Sequence, residues 1–155
     1  MEIDESLLVK RKYNRGRMLK EQWVFGGVVR GTRTCFFEIV ADRTEATLLE
    51  VIKRRIKAGT TIMSDRFRSY CNLSRHGYVH FTVNHSEHFV DPETGAHTQT
   101  IEATWGSLKQ FLKGKGRNIG PHLEEYMAEF VYRRAQGDTL FDKILEDIVR
   151  FHPPL

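Results

Sequence analysis

Two periods of apolar residues run through this chain, and the switches between them mark out its elements. Residues 2–7 (EIDESL) alternate, which predicts a short first strand. A basic stretch, residues 9–20, follows, and Asn14-Arg15-Gly16 within it reads as the turn of a hairpin. Residues 22–30 (QWVFGGVVR) and 34–41 (TCFFEIVA) are rich in aromatic and β-branched side chains and are separated by Gly31-Thr32-Arg33, so they predict two antiparallel strands completing a meander. The period then changes. Asp42 offers an N-cap with Glu45 three residues on, and Leu48, Val51, Ile52 and Ile56 recur at helical spacing before Gly59.

Residues 60–63 form a short apolar run, predicted as a fourth strand, that leads to Asp65. A short helix over 67–73, stopped near Gly77, and a fifth strand over 78–83 follow. A polar loop with Pro92 and Gly95 leads to a helix over 98–113 whose stripe is Ile101, Trp105, Leu108 and Leu112. Pro121 opens a further helix carrying Leu123, Tyr126, Met127, Phe130 and Val131 on one face. Asp138 opens a last one with Leu140, Phe141, Ile144, Leu145 and Ile148, ended by Pro153-Pro154. Three antiparallel strands followed by strands alternating with helices predict an α/β domain: a mixed five-stranded sheet with helices on both faces. No repeat or low-complexity segment interrupts it, so residues 1–155 are expected to form one domain.

Composition changes this picture little. With 40% hydrophobic and 28% charged residues the chain can bury a core, which argues against disorder. It lacks an apolar run long enough to span a bilayer and the basic flank of a signal peptide, so a soluble, intracellular protein without a membrane partner is expected: nuclear in a eukaryote, in the cytoplasm with the nucleoid in a bacterium. Cys35 and Cys71 have no CxxC partner, which argues against redox chemistry. His85-x-x-His88, with His97 and Cys71 elsewhere, lacks zinc-site spacing. No phosphate-cradling GxxxxGK or GxSxG motif occurs.

Charge matters more for where it lies than for its sum of +4. Lys10, Arg11, Lys12, Arg15, Arg17 and Lys20 crowd into one segment, and Lys109, Lys113, Lys115 and Arg117 form a second cluster. Such clusters suit a polyanion, and double-stranded DNA is the expected partner. Both flank three acids, Asp4, Asp65 and Glu102, which the element order puts at two strand ends and on a helix. Carboxylates so gathered suit two Mg²⁺ or Mn²⁺ ions, the arrangement that cleaves or transfers phosphodiesters. Lys109 lies seven residues after Glu102, two helical turns and about 10.5 Å along the axis, on the same face. Trp105 reads first as core.

Four stretches together resemble a known family: Glu2-Ile3-Asp4-Glu5-Ser6; Ser64-Asp65-x-Phe67-x-x-Tyr70; Val83-Asn84-His85-Ser86-x-x-x-Phe89-Val90-Asp91-Pro92; and His97-Thr98-x-x-Ile101-Glu102-x-x-Trp105-x-x-Leu108-Lys109. In this order, with 36 residues between Asp65 and Glu102, they are similar to the DDE transposase catalytic domain of Merlin-type transposons and ISXO-like insertion sequences. The resemblance implies an RNase H-like fold. It implies Asp4, Asp65 and Glu102 as the metal-binding and catalytic triad, with Lys109 as its associated basic residue. It also implies cleavage at element ends, joining of the 3′-OH to target DNA, and work as a homodimer or higher synaptic assembly. Family members often carry Asn three residues before the glutamate, where this chain has Gln99; Gln99 and His97 are the further DNA-contact candidates. Full-length members resemble a DNA-recognition module joined ahead of such a domain, and that module is expected to be absent here. The alternatives are a domesticated or truncated DNA-binding protein without turnover, and a purely structural or interaction domain.

Overall fold

In a computed structural model, residues 1–9, 21–84, 90–92, 94–116 and 119–151 are described. The basic segment from Lys10 to Lys20 lies outside them, as do His85, His88 and Arg117. Five strands form one mixed sheet in the order β3-β2-β1-β4-β5: β1 (Glu2–Val9), β2 (Gln22–Val28), β3 (Cys35–Val40), β4 (Thr61–Asp65) and β5 (Val79–Val83). β1–β2 and β2–β3 are antiparallel, β1–β4 and β4–β5 parallel. β1 is therefore the hinge between the meander and the crossover half, and it is central, so its polar side chains must find protein partners.

The two faces carry separate cores. On one, α1 (Glu45–Arg55) sets Leu48, Val51 and Ile52 against Ile3, Phe25 and Ile62. On the other, α2 (Gln99–Lys113) and α3 (Leu123–Gln136) bury Ile101, Trp105, Leu108, Leu112, Leu123, Met127 and Phe130 against Val24, Val28 and Phe37. The final helix, α4 (Leu140–Phe151), buries no residue fully. Among the described residues no helix is long and apolar enough to cross a membrane.

Several expected boundaries move, each for a local reason. Thr44, not Asp42, caps α1: its hydroxyl accepts from Thr47 N, while Asp42 is occupied by the Thr44 N–H at 2.9 Å and the Thr44 hydroxyl at 2.7 Å. The helix expected over 67–73 is instead two 3₁₀ turns, Arg68–Tyr70 and Leu73–His76, the second closed by Gly77 at φ 84°. Pro121 and Asp138 each lie in a 3₁₀ turn just ahead of a helix, so α3 and α4 begin at Leu123 and Leu140.

Candidate active site

The parallel register of β1 and β4 assembles the centre of the site. Glu2 pairs with Met63, so two residues further along both strands Asp4 comes level with Asp65. Both point to the α2 face, since alternate neighbours Ile3 and Ile62 belong to the core under α1. Two carboxylates side by side repel, and the protein supplies little to offset this. Burial pushes the Asp4 carboxyl up to about 7, and the charges of Glu5 and Asp65 add to the rise, against hydrogen bonds from the Glu5 backbone N–H and Trp105. Among the described residues the one side chain bonded to Asp4 is Trp105, whose indole N–H donates to Oδ2 at 3.0 Å.

That indole reaches Asp4 because Gly26 lies opposite it. Gly26 pairs with Asp4 across β1–β2, and a Cβ there would stand 2.8 Å from the Trp105 ring. A glycine inside a strand weakens it, and here its lack of a side chain is the space the ring fills. Phe37 holds the ring from the other side, centroids 4.9 Å apart. Trp105 is thus core, as its spacing predicts, and also a donor to the site, which its spacing does not reveal.

Asp65 is built into its own turn. Its Oδ1 accepts from Phe67 N at 2.9 Å, Tyr70 N returns to Phe67 O at 3.0 Å, and the fully buried Tyr70 donates its hydroxyl to Glu5 Oε2 on the α1 face. This explains the spacing Asp65-x-Phe67-x-x-Tyr70: acceptor, turn and anchor in one pass. Arg43 Nη1 lies 3.5 Å from the other oxygen of Glu5 and stacks over Trp23 at 3.9 Å. Burial raises the Glu5 carboxyl, and Tyr70 and Arg43 act against that rise. Behind Asp65, Ser64 Oγ donates to the Asp65 carbonyl at 2.7 Å and meets His80 Nε2 at 2.9 Å; burial lowers the pKa of His80 and favours its neutral ring.

The third acid arrives by helix. Thr98 at the start of α2 makes no capping bond from its side chain; Glu2 supplies the acceptor, its Oε2 taking the Ile101 N–H at 2.9 Å. Glu2 is 0% exposed; Arg30 Nε donates to its Oε1 at 2.6 Å, and Arg30 Nη2 also bonds the His97 carbonyl at 2.6 Å. His97 brings Nδ1 to 3.3 Å from Glu2 Oε1, off line for a hydrogen bond. Glu2 therefore fastens the beginning of α2 to the strand that carries Asp4. Sequence reasoning missed it, since an acid two residues before another reads as surface, and only the central place of β1 buries it.

Glu102 sits in the first turn of α2, one residue beyond that fastening, exposed, with Thr98 Oγ1 donating to its Oε1 at 2.9 Å. The structure brings Asp4 and Asp65 together and puts Glu102 on the adjoining helix, but among the described residues no three His, Cys, Asp or Glu side chains stand grouped at metal-holding spacing. Lys109 and Lys113 are exposed on α2, as is Gln99. Lys115 is engaged within the domain, 2.6 Å from Glu129 and over the Phe111 ring at 4.6 Å.

Comparison with known proteins adds a family to this description. Over 95 residues the chain is 32% identical to an uncharacterized transposase-like protein of Haemophilus influenzae, an alignment covering 61% of this chain and 76% of the relative. The family model described as ISXO2-like transposase domain matches residues 2–135, all five strands and α1 through nearly all of α3. With Asp4 and Asp65 level on the central strands and Glu102 on the helix beside them, the chain belongs to the ISXO2-like transposase domain family.

Proposed function

We propose that this domain is a divalent-metal-dependent polynucleotidyl transferase that hydrolyses the phosphodiester at a transposon end and joins the freed 3′-OH to target DNA. The observation that carries the reading is the Asp4–Asp65 pair, two hard oxygen donors level on adjacent strands with their mutual repulsion unrelieved by any cationic side chain bonded to Asp4 among the described residues. Such a donor set fits Mg²⁺ or Mn²⁺, and Asp4, Asp65 and Glu102 are the residues that would hold two ions. Bound there, the metal supplies charge neutralisation for the transition state and activation of the attacking oxygen.

The rest of the work belongs to the chain. Trp105 fixes one oxygen of Asp4 and, among the described residues, no side chain claims the other. Glu2 sets where α2 begins relative to β1 and so where Glu102 is presented. Glu102, now accepting from the Thr98 hydroxyl, would have to turn from that bond to join the pair. Lys109 and Lys113, exposed further along α2, and the basic segment from Lys10 to Lys20 would meet DNA phosphates, positioning the strand without reading its sequence.

The test supplies a pre-cleaved DNA end and Mg²⁺ and measures the joined product. Wild type should join, while Asp4→Asn and Asp65→Asn should each fall by about 10³-fold or more, several kcal/mol of lost transition-state stabilisation. DNA affinity should stay within about twofold, because the neutral variants keep every basic side chain. Joining that survives Asp65→Asn, or that needs no divalent metal, contradicts the reading.

A further inference from the structure

β4 is paired unevenly with its two neighbours. Against β5 the pairing runs the length of the strand, from Thr61 with Val79 to Asp65 with Val83. Against β1 it is registered at one position, Glu2 with Met63, where the Met63 N–H donates to the Met1 carbonyl at 2.8 Å. The ladder between β1 and β4 therefore stops short of Asp4 and Asp65. At their level a continued parallel ladder would set the Glu5 N–H on the Asp65 carbonyl. Both groups are engaged elsewhere: the Glu5 N–H serves the Asp4 carboxylate, and Ser64 Oγ donates to the Asp65 carbonyl at 2.7 Å. The two strands that carry the carboxylate pair are thus not held to each other by their backbones where the pair sits.

What spans them at that level lies on the opposite face of the sheet. Glu5 pairs with Phe25, a residue of the core under α1, and turns to that side, where it accepts from the hydroxyl of the fully buried Tyr70. The Tyr70 N–H returns to the Phe67 carbonyl at 3.0 Å, and the Phe67 N–H donates to Asp65 Oδ1 at 2.9 Å. An unbroken line of hydrogen bonds therefore leads from the residue after Asp4 to the carboxylate of Asp65. Arg43 holds this line from the side. Its Nη1 lies 3.5 Å from Glu5 Oε1, and its guanidinium stands 3.9 Å over the Trp23 ring and 5.2 Å over that of Phe67. Its carbonyl takes the Ser69 hydroxyl at 2.6 Å. The Glu5 side chain is 5% exposed, so water cannot readily replace Tyr70 as its donor, and the line stays closed. It crosses the same gap that Asp4 and Asp65 flank on the other face.

We propose that Glu5 and Tyr70 are positioning residues that set the gap between the Asp4 and Asp65 carboxylates, and with it the size of divalent cation the pair prefers; this role presupposes the catalytic reading above. Mg²⁺ requires oxygens at about 2.0–2.1 Å in a near-ideal octahedron, whereas Ca²⁺ accepts about 2.3–2.6 Å and irregular geometry. A fixed gap can select the smaller ion, and a loose one cannot. Calorimetric titration of the 155-residue chain should show Tyr70→Phe losing about tenfold in affinity for Mg²⁺ and no more than about twofold for Ca²⁺. Glu5→Gln, whose amide oxygen still accepts from Tyr70, should keep the wild-type ratio of the two ions while its lost charge weakens both. Equal losses for the two ions in Tyr70→Phe would mean a general weakening of the site and would overturn the gap-setting role. A second readout needs no metal: hydrogen exchange of the Phe67 N–H should quicken about tenfold in Tyr70→Phe, because the turn it closes has lost its anchor. An unchanged rate overturns the proposal whether or not metal binds. A wild type that binds neither ion contradicts the catalytic reading instead, and the Phe67 rate alone then decides whether Tyr70 holds the Asp65 turn.

Discussion

Glu2 and Asp4 stand two residues apart on one face of β1, both turned toward α2, and the protein treats them in opposite ways. Glu2 is sealed from water and receives the Arg30 guanidinium and the Ile101 N–H, with His97 close by, so each of its oxygens has a donor. Asp4 is partly open, receives one indole N–H from a side chain, and faces Asp65 and the charge of Glu5, which with burial hold its carboxyl near 7. A carboxylate whose donors are supplied by the fold is a structural part. One left short of them, beside another of like charge, is where the proposed cation would sit, and perturbed acids of this kind concentrate at functional sites. The two positions look alike in the chain; what separates them is what the neighbouring elements bring.

The contrast is broken most severely by removing the satisfied acid. Glu2→Ala strands the Arg30 guanidinium and the Ile101 N–H, and urea denaturation should show a loss of about 3–5 kcal/mol. Equal stability of wild type and variant would mean that Glu2 does not hold α2 to the sheet.

The opposite sign is expected at Asp4 in the metal-free chain. Its pKa rises from 3.8 to about 7 on folding, so the native state prefers it protonated. Below pH 4 the group is protonated folded and unfolded and adds nothing. As pH climbs the unfolded chain ionises first and stability falls, until above about 7 the penalty is complete. Asp4→Asn removes the charge and should stabilise by about 1–2 kcal/mol at pH 8, discounted from the full shift because the group is partly exposed, with no gain at pH 3.5. Thermal melts across that range decide it: a variant less stable than wild type at pH 8 contradicts the picture of a strained acid.

Trp105→Phe gives the smallest effect and the sharpest reading. The ring volume is largely kept and only the donor goes, so stability should fall by about 1 kcal/mol. Because the indole bond lowers the Asp4 pKa, its loss should move that titration higher, observable by carboxyl NMR. An unmoved titration would mean that the bond is not felt by the acid.

How much of this was legible in the chain depends on whether a feature is set by neighbours in sequence or in space. The five strands, the four helices and the mixed sheet follow from apolar periods, and Asp4, Asp65 and Glu102 from motifs whose order matches a family. The cap of α1 is displaced from Asp42 because its carboxylate is taken up by Thr44, and only geometry shows that the Thr44 hydroxyl is the acceptor for Thr47 N. The helix expected over 67–73 gave way to 3₁₀ turns because Asp65 takes the Phe67 N–H and Gly77 turns the backbone to φ 84°. Glu2 and Gly26 were unreadable: one depends on burial of the whole strand, the other on a tryptophan 79 positions away. The apolar stripe of α4 was plain, but that it lies uncovered is a tertiary fact.

The central claim, that Asp4 and Asp65 form a cation site, is tested most directly by titrating Mn²⁺ into wild type, Asp4→Asn and Asp65→Asn at pH 8 and following binding by calorimetry. Wild type should bind in a carboxylate-dependent way, releasing protons increasingly as the pH is lowered toward 7, and both variants should lose at least tenfold in affinity with the fold intact by circular dichroism. Variants that bind Mn²⁺ as tightly as wild type would contradict the account.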